Sequence, residues 1–452
     1  MKAIILAAGE ERRMRPLTAN LPKGMLPIGG KPLLEHVLLL AKEAGAERFV
    51  FVVGHQGEKI AGAFGDGSRL EVEIEYAFQE GGVGAGPALL AAEALAGDRF
   101  LVLRGDVLPD AASLKRLMAL EAPALAVARV EGPRPDRDWI LEVGEGRLRS
   151  ISHEGKAPLS NLVSAGIFLL DERAFEALRR VPIGGGGERD ILAAVRVLLA
   201  DGVLVGAEVV ERWIEIVFPW DILRANETLM PPETRGVLGE VEANASLSGE
   251  VAVGRGTAIR SGSYVAGPVV IGEGCAIGPN CLIRGTTSIG DGVRIGNGVV
   301  IEGSTIMDGT EVSHLCYVGD SLIGPGCSLG VGTVIANRRH DGSPIRSFSG
   351  GAGAETGRKA FGAVLGGGVK TGVGTIVYPG TVIEAGRWGR PGEVLWGHVE
   401  AEKIEEERED GEKVEAEDGD FADCPGAGAL RTKRGPRGPI LPEEMPREPG
   451  RG

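Results

Sequence analysis

Apolar positions divide the chain into two kinds of order. Up to about Met230, short apolar runs alternate with segments whose leucines and alanines recur at helical spacing. Residues 2–6, FVFVV at 49–53, RFLVL at 99–103 and ALAVARV at 124–130 read as buried strands. Between them, Leu33 to Ala44 carries a helical stripe that stops at Gly45, a C-terminal cap. Pro87 opens another apolar helix, and Asp110 caps a third. This alternation predicts an α/β domain, a mostly parallel sheet with helices on both faces. Its ligand is expected beyond the carboxyl ends of the strands.

After a linker at 230–235 that contains Pro231 and Pro232, the period becomes six. Val253, Ile259, Val265, Ile271, Ile277, Ile283, Ile289, Ile295 and Ile301 recur without a slip. The phase moves by one at Ile306 and again at Ile323, then returns at Leu365, Thr371, Val377 and Ile383. Three hexads make one triangular coil, with the aliphatic side chain stacked inward and small residues at the corners. A hexapeptide parallel β-helix is the expected architecture, interrupted between Asn337 and Gly362 by a polar, glycine-rich excursion. The predicted organisation is therefore 1–230, 236–400 and a tail, 401–452. Acidic residues dominate the tail from Glu402 to Asp423, and a basic, proline-rich stretch follows from Arg431. Low hydrophobicity with blocked charge predicts disorder there.

Composition narrows the chemistry. The 73 glycines suit the corners of a coil stack, and a net charge of −14 argues against general nucleic-acid binding. No segment approaches the roughly 20 apolar residues of a membrane span, and residue 1 leads straight into a strand. Five cysteines (Cys275, Cys281, Cys316, Cys327, Cys424) show no Cys-x-x-Cys pairing and read as small core-filling thiols of a reducing compartment, hence a cytoplasmic protein.

The densest motif follows the first strand. Residues 6–36, LAAGEERRMRPLTANLPKGMLPIGGKPLLEH, offer backbone N–H groups and fixed positive charge to a phosphate chain. Neither a Walker A loop nor a Rossmann glycine fingerprint is present. The segment resembles the signature of the sugar-1-phosphate nucleotidylyltransferases through Leu6-Ala7-Ala8-Gly9, Arg13, Pro16-Leu17-Thr18, Pro22-Lys23 and 25–36. The resemblance implies a Rossmann-like nucleotidyltransferase domain that uses a nucleoside triphosphate (NTP), a sugar 1-phosphate and Mg²⁺. It casts Arg13 and Lys23 as the catalytic cations. Leu6, Ala8, Gly9, Gln79, Gly84 and Asp106 would bind nucleotide, and Gly105, Asn161 and Gly166 would bind sugar. Asp106 and Glu215 would hold the metal. Several positions depart from the family pattern: Glu11 and Arg12 stand for glycine and threonine, Ala85 and Ser164 for threonine and asparagine. Glu154 stands for a lysine, with Lys156 nearby, and Glu215 for aspartate. Glu11, Arg12, Glu154, Ser164 and Glu215 together favour altered substrate preference or lost activity, the alternatives being a single active half or a catalytically silent trimeric nucleotidyltransferase-like regulatory subunit.

From Val312 the chain reads VSHLCYVGDS, and further on TGRKAFGAVLGGGVKTG. This resembles the acyltransferase half of the bifunctional N-acetylglucosamine-1-phosphate uridylyltransferase/glucosamine-1-phosphate acetyltransferase family, particularly its archaeal form. By that resemblance the β-helix is left-handed and homotrimeric and uses acetyl-CoA. Acetyl transfer needs a neutral amine and so a base near neutrality, for which His314 is the candidate. Tyr317 and Asn337 are then sugar-contacting groups, and Arg358, Lys359 and Lys370 are candidates for the phosphates of sugar or coenzyme.

Overall fold

The computed structural model describes residues 1–9, 11–80, 84–131, 139–152, 160–182, 190–230 and 236–401. The linker prolines, Glu154, Lys156, Cys424 and the charged tail lie outside the described residues. Among the described residues no helix is long and apolar enough to cross a membrane.

The amino-terminal region is built on one sheet of nine strands: β1 Lys2–Ala7, β2 Arg48–Val53, β3 Glu73–Phe78, β4 Arg99–Arg104, β5 Ala124–Arg129, β6 Ile140–Gly144, β7 Arg147–Ser152, β8 Leu162–Asp171 and β9 Gly206–Val209. Their spatial order is β3-β2-β1-β4-β8-β5-β9-β7-β6. The first four are parallel, as expected, with Lys2 opposite Arg48 and Phe100. β8 then runs antiparallel to both β4 and β5, so the sheet is mixed. Ala3 and Ile5 face one core cluster while Ile4 and Leu6 face the other. Both faces are therefore covered, which is why these strands read as continuous apolar runs.

The predicted helix limits agree closely with the structure. Leu33–Ala44 ends at Gly45, whose φ of 111° lets its N–H reach back to Ala41 and Lys42. Asp110 accepts the Ser113 N–H at 2.7 Å and starts Ala111–Ala119. The helix expected to open at Pro87 begins two residues earlier, at Ala85, and breaks after Ala91.

From Glu240 the chain winds through three parallel sheets in rotation, coil upon coil. Ile259, Ile277, Ile295 and Val312 stack in one sheet, and Val265, Ile283, Ile301 and Val318 in the next. All are buried, and Cys275, Cys281, Cys316 and Cys327 fill the same interior as free thiols. The three outer faces differ. One carries Ala258, Ala276, Arg294, Glu311 and Ser328. Another packs on the amino-terminal region, so Met307, Leu322, Phe361, Val364 and Val382 join its core. The third presents Tyr264, Val334, Ile376 and Val394 outward, each about two-fifths exposed.

Residues 337–362 leave the coils where the packed and apolar faces meet. They form a hairpin, Arg346–Ser349 paired with Ala352–Glu355, that reaches the segment following β1. Ser349 Oγ donates to the Arg13 carbonyl at 2.9 Å.

Candidate active sites

Beyond the carboxyl ends of β1 and β4 lies a cavity of about 670 Å³. Leu6, Ala8, Gly9, Lys23, Gln79, Gly84, Gly105 and Asp106 all line it, together with Glu11, Arg12 and Arg104. Gly105 lets the chain after β4 press against β1: its N–H donates to Leu6 O at 2.8 Å, and a Cβ there would sit 2.9 Å from that oxygen. Asp106 is thereby held at the floor.

Lys23 donates to Asp106 Oδ2 at 2.7 Å and to Glu11 Oε2 at 3.0 Å. Arg104 spans two carboxylates: Nη2 donates to Asp106 Oδ2 at 2.8 Å and Nη1 to Glu215 Oε1 at 2.7 Å. Glu215 is brought there by an antiparallel ribbon in which Trp213–Glu215 pairs with Val107–Pro109, and by Ile216 N–H donating to Asp106 O. The result is a row of alternating charge, Glu11–Lys23–Asp106–Arg104–Glu215. Burial opposes the charge on Lys23, but Asp106 and Glu11 outweigh it and leave its pKa raised. Burial likewise opposes ionised Asp106, yet Arg104 and Lys23 hold its pKa down at about 2. Asp106 raises that of Arg104 against the cost of burial, with help from Glu215. Asp106 Oδ1 is buried and has no hydrogen-bond partner.

That orphaned oxygen fits a cation ligand. No group of three or more His, Cys, Asp or Glu side chains able to hold a metal occurs among the described residues. Asp106 and Glu215 would supply two oxygens, leaving the rest to phosphates and water, as is common for Mg²⁺.

Some candidates lie elsewhere. Arg13 is exposed and outside the cavity wall, whereas Arg12 is on it. Both lie in the 3₁₀ turn Arg12–Met14, where neighbours point about 120° apart. Asn161 is exposed and accepts from Arg129 at 2.8 Å. Gly166 does not line the cavity either; with φ 72°, its bare Cα lies against Arg104, where a Cβ would be 2.9 Å from Cδ. The central position of Arg104 was not anticipated. The available signal is a charge at the end of an otherwise apolar strand, FLVLR.

In the coils, Tyr317 Oη donates to Glu302 at 2.9 Å and lies 3.3 Å from Asn337 Oδ1, while Asn337 Nδ2 donates to Asp320 at 2.6 Å. Burial and Glu302 push the Tyr317 phenol up to about 12. Arg358 joins this corner, 4.0 Å from Asp320, but its main partner is Glu227 of the amino-terminal region at 2.6 Å. Lys359 is exposed. Lys370 sits on a different sheet, its Nζ 4.6 Å from the Trp388 ring centroid. His314 occupies the corner at the other end of strand Tyr317–Gly319 and is exposed. Its Nδ1 accepts the Asn297 N–H at 2.9 Å, which puts the proton of the neutral ring on Nε2. The structure thus brings Tyr317, Asn337 and Arg358 together and leaves His314 and Lys370 apart from them.

The cavity and its charge row sit at the end of a sheet that defines a class of enzyme, the nucleotidyltransferases: the family described as "Nucleotidyl transferase" matches residues 2–228. The coils match "GMPPB C-terminal domain" over 265–385. The chain is 40% identical to "Bifunctional protein GlmU" of Methanococcus maripaludis, over 85% of this chain and 92% of that one. It is 31% identical to the "Bifunctional sugar-1-phosphate nucleotidylyltransferase/acetyltransferase" of Sulfurisphaera tokodaii, over 87% and 97%. The chain belongs to this family of archaeal-type bifunctional sugar-1-phosphate nucleotidylyltransferase/acetyltransferases.

Proposed function

We propose that the protein makes a nucleotide sugar in two steps, acetylating an amino-sugar 1-phosphate from acetyl-CoA and then joining an N-acetylhexosamine 1-phosphate to a nucleotide. In the second step a sugar-phosphate oxygen attacks the α-phosphorus of the NTP. The bond to the β-phosphate breaks, and pyrophosphate leaves with the electron pair. Lys23, fixed by Asp106, neutralises charge that builds on the phosphates, and Arg13 moves in from the rim. Mg²⁺, held by Asp106 and Glu215, would add positive charge at the reacting phosphates. The observation that carries this reading is the buried, cation-braced Asp106 with one oxygen unpartnered.

For the acetyl half we assign a left-handed hexapeptide β-helix working as a homotrimer, whose apolar outer face supports a subunit contact. Tyr317 and Asn337 orient the sugar, Lys359 and Lys370 serve phosphate groups, and His314 acts as base once Nδ1 gives up Asn297. A cytoplasmic enzyme acting on small molecules, without nucleic-acid or membrane partners, agrees with its charge and thiols. A slow nucleotidyl half is the second reading, favoured by the Glu11 carboxylate 3.0 Å from Lys23. Pyrophosphate release from pairs of NTP and sugar 1-phosphate, run beside acetyl-CoA consumption with glucosamine 1-phosphate, tests both. Release with some pair and consumption together support two active halves; consumption alone supports the second reading, and the absence of both activities overturns the proposal.

A further inference from the structure

The row of charges contains one group that the proposed chemistry leaves without a task. Arg104 is a planar, two-armed cation placed between the two carboxylates assigned to the metal, at 2.8 Å from one and 2.7 Å from the other. It therefore already supplies both carboxylates with the positive charge that a divalent cation would bring. Asp106 keeps its Oδ1 free of any hydrogen bond, so the ligand atom is present while the neutralising charge is already supplied from within. Glu11, Asp106 and Glu215 carry three negative charges against the two positive charges of Lys23 and Arg104. With the guanidinium in place the row has a net charge of −1; with it withdrawn, −2, enough to match a divalent cation. Arg104 also has a way out. Its side chain is 40% exposed and it lines the cavity.

We propose that Arg104 is a latch: it closes Asp106 and Glu215 to divalent cations in the nucleotide-free protein, and the phosphates of an incoming nucleotide draw it off them. This rests on the proposed placing of Mg²⁺ at those two residues. It makes Arg104 a positioning residue that orders binding, nucleotide before or together with metal. It also gives Glu215 a reason to be longer than aspartate, since its carboxylate reaches the guanidinium.

The test is Mn²⁺ binding to the full, nucleotide-free chain, followed by electron paramagnetic resonance of the free ion. Removing a unit positive charge a few ångströms away should tighten binding by about tenfold or more in Arg104→Gln. Adding Asp106→Asn should abolish the gain. Arg104→Lys, which keeps the charge but spans only one carboxylate, should show a smaller gain, and it decides the matter if Arg104→Gln does not fold. Equal affinity in native protein and variants, or a gain that survives Asp106→Asn, overturns the latch. If, in that case, Mn²⁺ binding measured with an NTP present is lost in Asp106→Asn alone, the metal placing stands and only the latch falls.

Discussion

Glu11 holds a left-handed backbone, φ 49° and ψ 51°, which costs a residue with a Cβ about 1–3 kcal/mol. The position is one where the family pattern has glycine, and the structure supplies the reason. Its side chain turns the strained residue into a partner for Lys23 instead of leaving that ammonium for phosphate. Glu11→Gly should therefore lower KM for the NTP by about three- to tenfold without lowering Tm, because strain and competing charge leave together. Steady-state kinetics with a fixed sugar 1-phosphate check this; an unchanged KM counts against competition by Glu11. Asp106 sets a pH window. Its folded pKa, about 2, lies below the ordinary carboxylate value of 3.8, so its contribution is complete above about pH 4 and is lost as pH falls toward 2. Urea midpoints between pH 5 and 2.5 should fall more steeply for native protein than for Asp106→Asn. That Lys23, Gly105 and Asp106 come together at one cavity was legible in sequence, because strand ends and glycine turns are local. The Arg104 bridge was not, since it joins residues 104 and 215 through a ribbon that no spacing announces.

Helix Ala111–Ala119 shows what a single cap does at the scale of an element. Asp110 accepts the Ser113 N–H and hydroxyl and also the Arg212 N–H, so it fixes both the helix start and the approach to the Glu215 ribbon. Asp110→Ala should cost about 1–2 kcal/mol, read from denaturant unfolding, and Asp110→Asn should recover part of it. The hexad strands were fully legible, because every sixth residue must point inward and all those positions are buried. Even Thr371, a polar member of the pattern, is satisfied inside by Thr333 Oγ1 at 2.8 Å and Gly330 N–H at 2.9 Å. The antiparallel part of the first sheet was less legible: β8 is apolar along nearly its whole length whichever way it runs. The docking of hairpin Arg346–Glu355 on Arg13 also escaped notice, because a glycine-rich polar stretch carries no period to read.

Across the molecule, the amino-terminal region and the coils share one core. Trp220 meets Phe361 edge-on at 5.9 Å, and fully buried Asn226 accepts from Gly29 N–H at 2.8 Å and donates to Thr305 at 2.9 Å. Arg358, bonded to Glu227 and close to Asp320, runs from that junction to the Tyr317–Asn337 corner. Phe361→Ala should cost about 3–5 kcal/mol and lower the melting temperatures reported by nucleotidyl and acetyl activities together. Separate shifts would show that the two halves unfold independently.

The central claim is that the braced cavity transfers a nucleotidyl group through Lys23. Its most direct test is pyrophosphate release, with Mg²⁺, by native protein and by Lys23→Met across a panel of NTPs and sugar 1-phosphates. Release by native protein with at least one pair, reduced about a hundredfold or more in the variant, is the expected result. Undiminished release by Lys23→Met, or none by native protein with any pair, would contradict it.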